Sequence, residues 1–150
     1  MPYRNIKLIL AYDGTNYYGW QKQKDKLTIQ GKLEEVLSKI LNSNLKVISA
    51  SRTDRGVHAY GQVVNFFINS NISLDALKNA LCALLPKDIY PLCIEEVDNK
   101  FHARFWAKAR RYRYIILNNN KPDIFRRNYL YFFKEKIDLL RLQELIPLFI

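Results

Sequence analysis

The stretch Ala50-Ser51-Arg52-Thr53-Asp54-Arg55-Gly56-Val57-His58-Ala59-Tyr60-Gly61-Gln62-Val63 gathers a carboxylate, two guanidinium groups, an imidazole and two glycines. An ionised carboxylate is a competent covalent nucleophile, a neighbouring arginine favours its charged form, and glycines let a bulky ligand come close to the backbone. Asp54 is therefore the candidate nucleophile, with Arg52, Thr53 and Arg55 beside it. The plainer alternative is a surface ion pair between Asp54 and Arg52 or Arg55, which would contribute little. A hydrolase using Asp54 with His58 would need the two side chains in mutual reach, and nothing else in the sequence supports it. His58 and His102 lie outside any cysteine or carboxylate cluster at ligand spacing, so no metal is expected and both histidines read as structural. Asp13, in Asp13-Gly14-Thr15-Asn16, reads as a turn former.

The elements that must position Asp54 follow from periodicity. Ile6 to Tyr12 is apolar and β-prone and ends in turn residues. Tyr17 and Trp20, in the loop that follows, are candidates for the rim of the site. Thr28 can cap a helix with Ile29, Leu33, Val36, Leu37, Ile40 and Leu41 on one face and Lys32, Glu34, Glu35 and Lys39 on the other. A short apolar segment, Leu45 to Ala50, precedes the Asp54 loop, and a β-rich stretch runs on through Val63, Val64, Phe66, Phe67 and Ile68. Ser73 caps a second helix with Leu74, Leu77, Leu81, Leu84 and Leu85 on one face, Pro86 stops it, and Ile89 to Val97 reads as another strand. The order βαββαβ predicts an α+β, ferredoxin-like plan: an antiparallel sheet, both helices on one face, the other face open to bind.

Phe101 to Leu117 is again β-prone, with Arg110, Tyr112 and Tyr114 alternating against Arg111 and Arg113. With Lys108 these make a basic stripe interleaved with aromatics, suited to an RNA backbone and its exposed bases. Taken alone, any one of these tyrosines is more readily a packing residue on a strand face. A polar loop, Asn118 to Pro122, follows, and Asp138 starts a helix with Leu139, Leu142, Leu145, Ile146 and Phe149 on one face, disturbed by Pro147. We divide the chain into 1–118, a catalytic α/β domain with an RNA-binding face, and 119–150, a loop and the start of a further connection. The apolar tail ending at Ile150 reads as that of a fragment of a longer protein.

The composition, 49% hydrophobic and 25% charged over 150 residues, suits a globular domain with a real core. A net charge of +10 favours an acidic partner, nucleic acid first. No signal-peptide pattern opens the chain and no apolar run approaches membrane-spanning length, so a cytoplasmic protein is expected. The two cysteines, Cys82 and Cys93, read as buried thiols of a reducing compartment.

The Asp54 segment resembles the signature of the tRNA pseudouridine synthase A family: Arg-Thr-Asp, a variable residue, Gly-Val-His-Ala, a variable residue, then Gly-Gln-Val. Every fixed position is present between Arg52 and Val63. The resemblance extends to Tyr12-Asp13-Gly14-Thr15 with Tyr17, Gly19-Trp20-Gln21 and Gln23, to Leu85-Pro86 with Asp88-Ile89, and to Phe101-His102-Ala103-Arg104-Phe105 followed by Arg111-Tyr112 and Tyr114. Four motifs in the same order are far more specific than any one alone.

The resemblance implies that Asp54 is the nucleophile in the isomerisation of uridine to pseudouridine, with no cofactor. It further implies that Arg52 is the wedge helping to flip the uridine out, although it could equally be a phosphate contact, and that Tyr112 stacks on the extruded base, with Thr53 a further substrate-binding residue and Arg55 a further RNA contact. The implied partner is tRNA, at positions 38 to 40 of the anticodon arm, bound by a homodimer. The family's second, similarly folded half completes the cleft, which leads us to expect little activity from these 150 residues alone. Ser51 and Arg55 depart from the commonest pattern, which has glycine and a small residue there, and Arg55 adds charge at the cleft. A non-catalytic RNA recognition motif shares the βαββαβ order, but its Lys/Arg-Gly-Phe/Tyr-Gly/Ala-Phe-Val-x-Phe/Tyr signature has only a loose echo in Gly61 to Phe66.

Overall fold

The structure, a computed structural model, describes residues 3–149. Met1, Pro2 and the final Ile150 of the apolar tail lie outside the described residues. Two compact units are present, 1–110 and 111–150, meeting ahead of the division we drew at 118/119.

The first unit is built from β1 (Arg4–Tyr12), α1 (Ile29–Leu41), β2 (Ile48–Ser49), β3 (Ala59–Ile68), α2 (Leu74–Leu84) and β4 (Ile89–Val97). The strands form one antiparallel sheet in the order β2-β3-β1-β4, as the βαββαβ reading predicts. Alternation along β1 sends Ile6, Leu8, Leu10 and Tyr12 into the core, and the register sets Ile6 beside Phe66 and Leu8 beside Val64. Ile29, Leu33, Val36 and Leu37 of α1 and Leu77 and Leu81 of α2 belong to the same buried cluster. Each such side chain contributes about 1.5–3 kcal/mol on burial. Thr28 and Ser73 cap the helices, their hydroxyl oxygens accepting from Gly31 N and Ala76 N at 3.2 Å each.

Several expectations are corrected. Glu34 is buried rather than solvent-facing: its carboxylate accepts from Val47 N at 3.1 Å, Gln30 Nε2 at 2.9 Å and Lys22 Nζ at 3.2 Å. The returning chain at Val47 brings a buried amide that needs an acceptor, and Glu34 supplies it. Leu84 is exposed, because Leu85 leaves helical geometry at the end of α2 and takes the buried position instead. Cys82 and Cys93 are exposed free thiols; Cys93 pairs with Ile9, on the sheet face away from the core.

That second face is not fully open. Asn5 and Asn65, both fully buried, point into it and hold the segment after β4. Asn5 Nδ2 donates to the carbonyls of Asp98 and Phe101 at 3.0 Å each, Asn65 Nδ2 donates to Asn5 Oδ1 at 2.9 Å, and Ala103 N donates to Asn65 Oδ1 at 2.9 Å. The expected strand from Phe101 to Leu117 is accordingly absent until Ile116. With its first residues tied to asparagine side chains in turn geometry, it has no sheet edge to pair with, and β-propensity without a partner strand decides little.

In the second unit β5 (Ile116–Asn118) pairs in parallel with β6 (Tyr131–Phe133), a strand not anticipated from sequence. Asn118 knots the pair, its Nδ2 donating to the carbonyls of Phe133 and Glu135 and its Oδ1 accepting from Ile137 N. Asp138 caps α3 (Leu139–Leu145), which passes into a 3-10 turn at Ile146–Phe149 where Pro147 falls. Leu139, Leu142, Leu145 and Ile146 are all exposed.

Candidate active site

Asp54 sits on the loop joining β2 to β3, and that loop is clamped from two sides. On the sheet side Ala50 N donates to Val63 O at 2.8 Å, and the buried Gln62 donates from Nε2 to Ser51 O at 2.6 Å. Arg110 adds a clasp, with Nε and Nη2 both donating to Ala50 O at 3.0 and 2.8 Å and Nη2 also reaching Arg104 O at 3.2 Å.

On the other side the loop after β1 forms a platform. Trp20 N donates to Thr53 O at 2.9 Å, Gly56 N donates to Tyr17 O at 3.2 Å, and the Tyr12 and Thr53 hydroxyls are 2.8 Å apart. The approach is close enough to require glycine. Gly19 has φ +86°, and a Cβ there would come within 2.6 Å of Thr53 O; one on Gly14 would collide with the carbonyl oxygen of Val57. Gly56, with φ +77°, turns the loop so that Val57 N donates to Asp54 O at 3.2 Å.

Tyr17 and Trp20, expected at the rim, are instead buried beneath the loop. Tyr17 donates its phenolic hydrogen to Asp88 Oδ1 at 2.6 Å, and its burial, then this bond to a carboxylate, push the phenol's pKa well above the ordinary range. Burial likewise raises the Tyr12 phenol, partly offset by its bond to Thr53. His58 Nδ1 lies 3.1 Å from Gly14 N and 3.0 Å from Asp13 Oδ1. Nδ1 accepts from the glycine amide when it carries no hydrogen and donates to Asp13 when it does. In either form His58 joins the two loops, the holding role expected for it.

The Asp54 carboxylate itself is exposed and, among the described residues, forms no hydrogen bond or ion pair. The ion pair with Arg52 or Arg55 is not formed: Arg52 is exposed, and Arg55 lies with Cζ 4.4 Å from the centre of the Tyr18 ring. A carboxylate on a doubly clamped loop, with its lone pairs unengaged, is arranged to meet a ligand rather than to hold the fold. Among the described residues no group of three or more histidine, cysteine or carboxylate side chains could hold a metal.

Residues 8–106 match the family described as tRNA pseudouridine synthase. The chain belongs to that family. It is similar to tRNA pseudouridine synthase A of Clostridium kluyveri, 44% identical over 147 residues, and to the protein of the same name from Acetivibrio thermocellus, 46% identical over 147 residues. A third relative, from Pseudothermotoga lettingae, is 45% identical over 146 residues. The alignments cover 97–98% of this chain and 60% of each relative, so the chain spans about 60% of the length of these curated relatives.

Within this family member, Arg52, Thr53, Asp54 and Arg55 share one loop, while Lys108 is exposed near the end of the first unit. Arg111, Tyr112 and Arg113 belong to the second unit, in irregular backbone, all exposed. No strand sets their alternation. Sequence reasoning gave no holding role to Tyr12, Gly14, Gly19 or Gln62, and it read Trp20 as a rim residue and Arg110 as part of the basic stripe, although both hold the loop. The glycine-rich spacing of Gly14 and Gly19 was the available sign of a close approach, but it does not say to what.

Proposed function

We propose that the whole protein is a tRNA pseudouridine synthase, an isomerase in which Asp54 is the nucleophile. The observation that carries this is the exposed, unengaged Asp54 carboxylate on a loop fixed by Gln62, Arg110, Tyr12 and the amide of Trp20. The reaction breaks the bond from C1′ of the ribose to N1 of uracil and forms one from C1′ to C5; C5 loses a proton and N1 gains one, so no oxidant or cofactor enters. Asp54 bonds to the uridine, is released when the rotated base rejoins, and is unchanged at the end.

A stacked uridine is beyond the reach of a side chain, so it must be flipped out. Arg52, exposed two residues before the nucleophile, is the proposed wedge, and Tyr112 the ring that stacks on the extruded uracil. Thr53 orients the nucleophile through its contacts with Tyr12 and Trp20. Lys108, Arg111 and Arg113 line the proposed path of the RNA backbone, in keeping with the charge of +10. Arg110 is assigned to the loop clasp that its guanidinium makes. The substrate proposed is the anticodon arm of tRNA at positions 38 to 40, the working form a homodimer and the compartment the cytoplasm. Among the described residues no helix is long and apolar enough to cross a membrane.

Mapping pseudouridine in an unmodified tRNA incubated with the full-length protein or with its Asp54→Ala variant tests the reading. Anticodon-arm pseudouridine that disappears in the variant is expected; tRNA binding without conversion by either protein would instead favour a non-catalytic RNA-binding module.

A further inference from the structure

Beside the nucleophile, one partly exposed ring carries two cations. Arg55 Cζ lies 4.4 Å and Lys26 Nζ 4.6 Å from the centre of Tyr18. Both side chains are exposed, and among the described residues neither is paired with a carboxylate. The arrangement is set by the backbone. Tyr18 lies between Tyr17 and Gly19, whose backbones are fixed to the Asp54 loop through Gly56 N and by the close approach to Thr53 O, which puts the ring against Arg55. Tyr18 N donates to Leu27 O at 2.8 Å and Gln23 Nε2 donates to Tyr18 O at 3.0 Å, which folds the following turn back and brings Lys26 to the same ring.

Cation–π contact holds a charged head in place while leaving its outward N–H groups unused. Two uncompensated cations at one ring repel each other, and an anion between or across them removes that repulsion. We propose that Tyr18, Arg55 and Lys26 form a phosphate-binding site for the RNA strand next to the target uridine, Arg55 presenting its planar fork and Lys26 a point charge. It rests on the reading that the protein acts on RNA, and it deepens that reading by giving the Arg55 departure a role. The ring is the support of the site and not a stacking platform for a base, since its surroundings are already occupied by the two cations.

The test is the salt dependence of binding by the full-length protein, measured by fluorescence anisotropy from 50 to 200 mM salt, roughly the range over which phosphate contacts are lost. The probes are unmodified tRNA and an oligouridylate, and uridine conversion is followed in parallel. Arg55→Ala and Lys26→Ala are each expected to reduce the slope of log K against log salt by about one, on both probes, and to weaken binding about tenfold at the low-salt end. Tyr18→Phe keeps the ring and is expected to bind as the unaltered protein does, whereas Tyr18→Leu weakens binding as the alanine variants do. Conversion of tRNA with unchanged slopes in both alanine variants overturns the phosphate site and leaves the synthase reading standing. Reduced slopes on oligouridylate without any uridine conversion support the phosphate site and overturn the synthase reading. Loss of binding in Tyr18→Leu alone, with both alanine variants silent, assigns the ring to base stacking and overturns the phosphate site, and a protein that binds neither RNA overturns both.

Discussion

The amide of Trp20 donates to the carbonyl of Thr53 across 2.9 Å, joining two loops whose residues are more than thirty positions apart and fixing the backbone one residue before Asp54. Because Trp20 is almost wholly buried, the loop bearing Asp54 is anchored to the hydrophobic core itself. The chemistry proposed for Asp54 depends on that anchoring, since a displacement of about 1 Å in a reacting group can cost about a hundredfold in rate.

Asp54→Ala should separate function from stability. The carboxylate makes no bond within the described residues, so the change should move unfolding free energy by no more than about 0.5 kcal/mol while abolishing pseudouridine formation. Chemical denaturation beside pseudouridine mapping checks both halves.

Gly19→Ala and Gly56→Ala should differ although both glycines have positive φ. At Gly56 the added methyl meets open space, and the expected cost is the backbone penalty of about 1–2 kcal/mol. At Gly19 the methyl also runs into Thr53 O, so the loop must shift; a larger loss of stability and at least about a hundredfold loss of turnover are expected. Equal effects in denaturation and turnover assays would count against the platform role.

Arg110→Ala should lower turnover without changing the salt slope of tRNA binding, because the guanidinium is spent on the Ala50 and Arg104 carbonyls. Each lost charged hydrogen bond costs about 1.5–3 kcal/mol in general, less at an exposed site such as this. A slope reduced by about one would return Arg110 to the phosphate-binding set.

Tyr17 gives the protein an alkaline limit. Its folded-state pKa is raised by burial and by the bond to Asp88, so its contribution to stability is fully present below the ordinary tyrosine value of about 10 and is lost as pH rises beyond it. Unfolding measured above that value should fall steeply for the natural protein and more gently for Tyr17→Phe, which starts less stable because Asp88 loses its donor.

The 150-residue chain assayed by itself should show little or no conversion. In the second unit Tyr114, Phe125, Leu140 and Leu148 stand exposed, and the chain spans about 60% of the length of its curated relatives. Robust turnover by this chain alone would show that the residues described here suffice.

The sequence by itself determined the order of the first unit and the identity of the candidate nucleophile. Periodicity is local: alternation over Ile6 to Tyr12 and helical spacing from Ile29 to Leu41 each select one buried face whatever surrounds them, and the Arg52 to Val63 motif is contiguous. What tertiary structure alone decided are the relationships across long separations. A carboxylate such as Glu34 reads as a surface charge until the Val47 amide arrives beside it, and Tyr17 and Trp20 read as rim residues until the Asp54 loop is laid over them. The run from Phe101 to Ile115 reads as a strand until Asn5 and Asn65 capture its first residues and leave it without a partner. In each case the deciding group is a polar atom whose need for a hydrogen bond is met from a distant part of the chain, and no local pattern encodes which atom will meet it.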